Sequence, residues 1–96
     1  MKGYWVGQVT VDDPAAYEAY RCANAAAFDK YGARFLVRGG LAEVVEGESR
    51  PRIVVIEFPS LQAARDCWNS PEYQAARDLR LPVSAADIVI VEGWSG

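Results

Sequence analysis

The chain has 96 residues, of which 51% are hydrophobic and 24% charged, with a formal net charge of −3 and a pI near 4.8. This is the balance of an ordinary globular protein, without the basic face that a nucleic acid or an anionic membrane requires, so both are excluded as main partners. Histidine is absent, which removes Ser-His-Asp and Cys-His nucleophiles and His-ligated zinc, non-haem iron and haem.

No metal and no cofactor is therefore expected, and any chemistry falls to carboxylates, Arg, Lys, Tyr, Asn or Cys. No apolar run approaches the ~20 residues of a membrane span, and Met1 leads into a strand pattern without a signal-peptide core. The expected location is the cytoplasm. A chain this short buries only about 65% of the surface it exposes when unfolded, and a second chain is the usual supplement to so small a core.

Gly3 to Val11 is aromatic and β-branched and predicts a first strand, stopped by Asp12-Asp13-Pro14. Asp13 and Pro14 read as N-cap and first position of an alanine-rich helix running to Tyr31, where Gly32 supplies the stop. Ala33 to Glu46 follows, interrupted by Gly39-Gly40. The glycines admit a tight hairpin or a bulge in one long strand, and the bulge is favoured because it leaves a hairpin at Gly47 to Pro51 before the strand Arg52 to Phe58. Ser60 caps a helix from Leu61 to Asn69, and Ser70-Pro71 restarts a short one through Arg80. Pro82 ends it, and Asp87 to Glu92 is the last strand.

The order β-α-β-β-α-β with right-handed crossovers predicts an α+β, ferredoxin-like fold: one domain over residues 1–96, with a four-stranded antiparallel sheet and both helical segments on one face. The uncovered face of such a sheet should alternate to polar residues. Instead Ile53-Val54-Val55-Ile56 and Ile88-Val89-Ile90-Val91 are unbroken apolar runs. Two strands, taken as neighbours, are thus apolar on both sides, and a symmetric sheet-on-sheet homodimer is the economical cover.

Gly3-Tyr4-Trp5, Tyr31-Gly32, Arg34-Phe35-Leu36-Val37-Arg38-Gly39-Gly40, Glu46-Gly47, Val54-Val55-Ile56-Glu57-Phe58-Pro59, Ser70-Pro71-Glu72-Tyr73 and Val91-Glu92-Gly93 lie in this order along the chain. The pattern resembles the domain of unknown function 1330 family within the dimeric α+β barrel superfamily. The resemblance implies a ferredoxin-like protomer, a homodimer with facing sheets and a small cavity between sheet and helices. It implies no reaction, because the superfamily spans cofactor-free monooxygenases, lactone isomerases, haem-degrading enzymes and small stress-response domains. Haem-degrading relatives generally hold iron through histidine, which this chain lacks.

Five residues are candidate ligand contacts. Asn24 falls among Tyr17, Tyr20, Phe28 and Tyr31 on one face of the first helix, where an amide must find partners: a ligand's carbonyl or hydroxyl, or else a loop or sheet edge. Arg38 precedes the glycine pair, where a bulge would re-aim it toward a carboxylate ligand or a partner acid; as an exposed strand arginine it would carry no function. Glu57 shares a face with Ile53 and Val55; set against a partner chain it would carry a raised pKa and serve as a general base, and at a strand end it would simply meet water. Tyr73 and Arg77 share a helical face with Arg80, either as an anion clamp near Ser70-Pro71 or as a solvated surface. Trp5, Trp68 and Trp94 are assigned to core, interface and pocket wall in that order, and Cys22 and Cys67 are read as reduced, semi-buried thiols.

Three functions follow from these residues. The first is a domain binding a small organic molecule. The second is a cofactor-free monooxygenase or isomerase for a small aromatic or lactone, using Asn24, Tyr73 and Glu57. The third is a structural dimerisation module.

Overall fold

A computed structural model describes residues 1–96. Strand β1 (Gly3–Val11) leads into helix α1 (Pro14–Lys30), followed by β2 (Arg34–Arg38) and β3 (Arg52–Phe58). Helices α2 (Leu61–Asn69) and α3 (Pro71–Arg80), a 3-10 turn at Leu81–Val83 and strand β4 (Ser84–Glu92) complete the chain.

The helix boundaries follow from side chains that satisfy free backbone groups at the ends. Asp13 accepts from the Ala16 N–H and Pro14 occupies the first turn of α1. At its other end Gly32 adopts φ +71°, and the Ala33 N–H donates to the Phe28 carbonyl at 2.9 Å, a Schellman closure that a residue with a side chain would strain. Ser70 serves two helices at once: its hydroxyl donates to the Cys67 carbonyl at 2.7 Å and accepts from the Tyr73 N–H at 3.1 Å.

The four strands form one antiparallel sheet in the order β2-β3-β1-β4. Strand β1 therefore lies between β3 and β4, and the two runs expected to be neighbours are separated by it. The strand periodicity of two sends Trp5, Gly7, Val9, Val54, Ile56 and Ile88 toward the helices, and Tyr4, Val6, Ile53, Val55, Val89 and Val91 to the other side. No other layer covers that second side, and the molecule is only 17 Å through its thinnest dimension. Val6, Val37, Val89 and Val91 are exposed there, with Lys2, Tyr4 and Glu57 at one end and Thr10, Arg50 and Asp87 at the other.

Trp5 organises the covered side. Its ring lies 4.8 to 5.5 Å from those of Tyr73, Phe58, Phe28 and Trp68, and its indole N–H donates to the Ala64 carbonyl at 2.9 Å. Trp68 joins this cluster half-buried, whereas Trp94 is 92% exposed near the C-terminus and walls no pocket.

The segment after α1 departs from the expectation of one long bulged strand and a hairpin at Gly47 to Pro51. Strand β2 ends at Arg38, Gly39 turns away at φ +72°, and the chain through Pro51 is irregular. The last rung is the Gly39 N–H on the Ile53 carbonyl at 2.8 Å, and β3 begins at Arg52, so Leu41 to Glu46 has no strand opposite it. The segment is held instead by Arg50, which bonds Gln8, Thr10 and Asp87. A bulge does exist, but upstream, between Phe35 and Val37.

The two thiols are not both semi-buried: Cys22 is exposed and Cys67 fully buried, its pKa pushed up to about 12 by burial and then by Glu72. Titration of the native protein with a disulfide reagent at pH 8 should label one thiol per chain rapidly, and the second only after denaturation. Equal labelling of both would contradict this packing.

Candidate functional site: a cavity between the first helix and the sheet

Helix α2 lies close on the sheet, whereas α1 packs mainly on α3 and stands farther off. The aromatic side chains of α1 fill most of that gap, since Tyr17, Tyr20 and Phe28 are all buried. What they leave is a cavity of about 40 Å³. Its floor is Gly7, Val54, Ile56 and Ile88 on the sheet; Tyr20, Asn24 and Tyr73 overhang it. Such a volume admits water or a small functional group, and a larger body enters only if the side chains at the rim move.

A hydrogen-bonded chain runs along one wall. The hydroxyls of Tyr20 and Tyr73 are 3.0 Å apart, and Arg80 donates to the Tyr73 oxygen from Nη2 at 3.2 Å and from Nε at 3.4 Å. Burial, reinforced by Tyr73, pushes the Tyr20 pKa far above the ordinary phenol range; burial and then Tyr20 push Tyr17 upward as well. Both phenols are thus neutral at physiological pH. Asn24, 4% exposed, lies beside the Tyr20 hydroxyl at the end of this chain.

Strand irregularity supplies the opposite wall. In an unbulged β2, Phe35 and Arg38 would face opposite sides of the sheet. The extra residue at Leu36 sends Val37 to the open face, opposite Val55, and returns Arg38 to the covered face, opposite Val54. Arg38 then lies over the Phe35 ring, 4.4 Å from its centroid. Beside it, Gly39 leaves room for the Arg52 guanidinium, into which any Cβ at that position would run.

Of the five expected contacts, the structure brings Asn24, Arg38 and Tyr73 to this cavity and leaves two elsewhere. Glu57 points to the open face, where Lys2 Nζ donates to it at 2.9 Å and the Tyr4 hydroxyl at 3.2 Å. The Lys2 hydrogen bond holds its carboxyl below the usual carboxylate range, contrary to the raised value expected of a general base. Arg77 stacks on Trp68 at 5.5 Å and lines an open groove along the β4 edge, because three residues fall short of a helical turn and point it away from the direction of Arg80, which does reach the cavity. Arg21, Arg52 and Gly7 were missed. The available signal was Gly7, a glycine inside a β-branched strand, which marks a close approach of something other than its own side chain.

Residues 2–94 match the family described as Domain of unknown function (DUF1330). The chain belongs to that family. No functionally curated protein matches it. Among solved structures, this DUF1330 chain is similar to RPA0582, a protein of unknown function from Rhodopseudomonas palustris, with a TM-score of 0.76 and 17% identity over 99% of this chain and 84% of that one. It is also similar to SnoaB, a cofactor-independent oxygenase from Streptomyces nogalater, with a TM-score of 0.67 and 20% identity over 99% and 95% of the two chains. A dimeric ferredoxin-like protein of unknown function from Bacteroides fragilis has a TM-score of 0.63 and 17% identity over 96% of each chain. At these identities the likeness is one of fold, and the fold of the DUF1330 chain is the ferredoxin-like α+β plan.

The Tyr73 hydroxyl is the hub of the cavity wall. Replacing it in Tyr73→Phe leaves the Tyr20 hydroxyl and Arg80 without their partner and should cost about 1–3 kcal/mol in urea denaturation. In a double-mutant cycle with Tyr20→Phe the two changes should be non-additive by more than about 0.5 kcal/mol. Additive effects would show that the hydroxyls act independently.

Proposed function

We propose that this single-domain protein binds a small organic molecule in the cavity between α1 and the sheet, and that it does so as a homodimer with the open sheet faces together. The observation that carries the first part is the composition of the cavity. A chain with little core to spare keeps a hollow in it, floored by a glycine and walled by buried Asn24, Tyr20, Tyr73 and Arg80. Packing alone would favour filling it, since a void forfeits dispersion contacts and buried polar groups cost unless satisfied. A cytoplasmic location accords with the two unpaired cysteines.

The cofactor-free oxygenase or isomerase reading retains Asn24 and Tyr73, which share the cavity, and the fold likeness to SnoaB. It loses Glu57 as its base, because the sheet separates that carboxylate from the cavity. Binding without turnover therefore stands first.

Gly7 makes the cavity testable. A Cβ there meets Ile88 at 3.5 Å, an ordinary contact, so Gly7→Val should fold while its methyls occupy the floor of the cavity. Across a panel of aromatic acids, phenols and lactones, at least one class should raise the melting temperature of the native protein and leave that of Gly7→Val unchanged. Equal shifts in both, or none in either, would transfer support to the dimerisation-module reading. Oxygen uptake or product formation with the same panel separates enzyme from binder.

The dimer is supported by the apolar stripe of Val6, Val37, Ile53, Val55, Val89 and Val91 with polar groups at both ends, the anatomy of an interface with an apolar centre and a polar rim. Sedimentation should give twice the 10.5 kDa chain mass, and Val89→Glu should shift the protein to monomer. A native protein that sediments as a single chain at micromolar concentration would refute it.

A further inference from the structure

Four of the chain's eight arginines, Arg21, Arg38, Arg52 and Arg80, line the one cavity, and no aspartate or glutamate does. This is the reverse of the chain as a whole, where 13 acids outnumber 10 bases. Only Arg21 has a carboxylate partner, Glu18 at 2.9 Å. Arg80 is 4% exposed and spends two of its donors on the Tyr73 hydroxyl rather than on a carboxylate, while the Nε groups of Arg21 and Arg52 are buried with no acceptor. A desolvated guanidinium without a counter-charge is costly, and several around one hollow repel one another.

Three of the arginines also rest on aromatic rings. Arg38 lies over Phe35, Arg52 over Tyr17 at 5.7 Å and Arg80 over Tyr20 at 5.5 Å. An aromatic face takes up the flat of a guanidinium and leaves its N–H edge for an oxygen acceptor. Burial keeps the Tyr17 and Tyr20 hydroxyls from balancing this charge by ionising. On the remaining sides the walls are apolar: Phe28, Phe35, Val54, Ile56 and Ile88.

Resting on the cavity reading above, we propose that the ligand is a small organic carboxylate whose charged group sits among Arg38, Arg52 and Arg80 and whose body lies against the apolar wall. Arg80 forms the buried end of the clamp. Arg38, which is exposed, and Arg52, beside the Gly39 turn, form the mouth and are the side chains that move to admit a body larger than the resting cavity. The apolar wall distinguishes such a ligand from inorganic phosphate, which would gain the charge contacts and nothing from the aromatic and aliphatic surface.

Isothermal calorimetry of the full chain at low ionic strength tests this with benzoate, phenylacetate, their neutral amides and inorganic phosphate. The carboxylates should bind at least tenfold more tightly than the matching amides and than phosphate, and should weaken as salt is raised. Arg38→Gln at an exposed position and Arg52→Gln at a half-buried one should each lower carboxylate affinity about tenfold and amide affinity by much less. Amides that bind as well as the acids would overturn the anion assignment while the cavity reading stands. Phosphate binding as tightly as benzoate would overturn the organic part of it. No binding by any probe to a protein shown by circular dichroism to be folded would defeat the inference and the cavity reading together.

Discussion

The distance between α1 and the sheet is the constraint on which the rest of the molecule depends. It is set by large aromatic side chains rather than by the backbone. Trp5 packs edge-on against Phe28 and Tyr73, and the rings of α1 stack outward from there, Tyr20 against Tyr73 and Tyr17 against Tyr20. Rings in edge-to-face contact do not tile a wedge-shaped gap completely, and the remainder is the cavity. Small residues on α1 would let the helix settle onto the strands and close it. The polar tips of the same tyrosines supply the hydrogen-bonding groups of its wall, so one set of residues provides both the spacing and the chemistry.

A local departure from regular pairing gives that cavity its charge. Strand β2 carries one residue too many opposite β3, and this single insertion decides on which side of the sheet Arg38 lies. The left-handed turn at Gly39 then ends the strand and clears the space taken by Arg52. Bulge and glycine turn act in series within five residues, and together they carry two guanidinium groups to the mouth of an otherwise aromatic hollow. Edge strands tolerate such irregularity because only one neighbour enforces their register.

The two faces of the sheet divide the chain's charge between them. Lys2–Glu57 and Arg50–Asp87 are paired at the ends of the open face, at 2.9 and 2.8 Å. On the covered face four arginines line the cavity, and only Arg21 is paired with an acid. Exposed ion pairs of this kind contribute little to stability. They frame the valine and isoleucine stripe between them. Both faces are thus specialised, one apolar and framed by matched charge, the other recessed and unbalanced.

The chain's periodicities and end signals determined most of the fold. Asp13-Pro14, Ser60 and Ser70-Pro71 cap their helices as read, because capping is a contact between residues two or three positions apart. The four-stranded antiparallel sheet and its apolar open face followed from β-α-β-β-α-β connectivity and from runs that fail to alternate, whereas the place of β1 between the two apolar runs did not. Asn24, Arg38 and Tyr73 were legible as unusual residues on otherwise regular faces. Tertiary structure alone decided what depends on one extra residue in a strand or on which strand lies opposite. The end of β2 at Arg38 was set by where β3 begins. Glu57 was carried to the far side of the sheet, and Arg80 rather than Arg77 entered the cavity by a difference of less than one helical turn. Arg52 became a cavity residue only because a glycine thirteen positions earlier makes room for it. Such choices are made by contacts between distant segments, and no local pattern in the sequence encodes them.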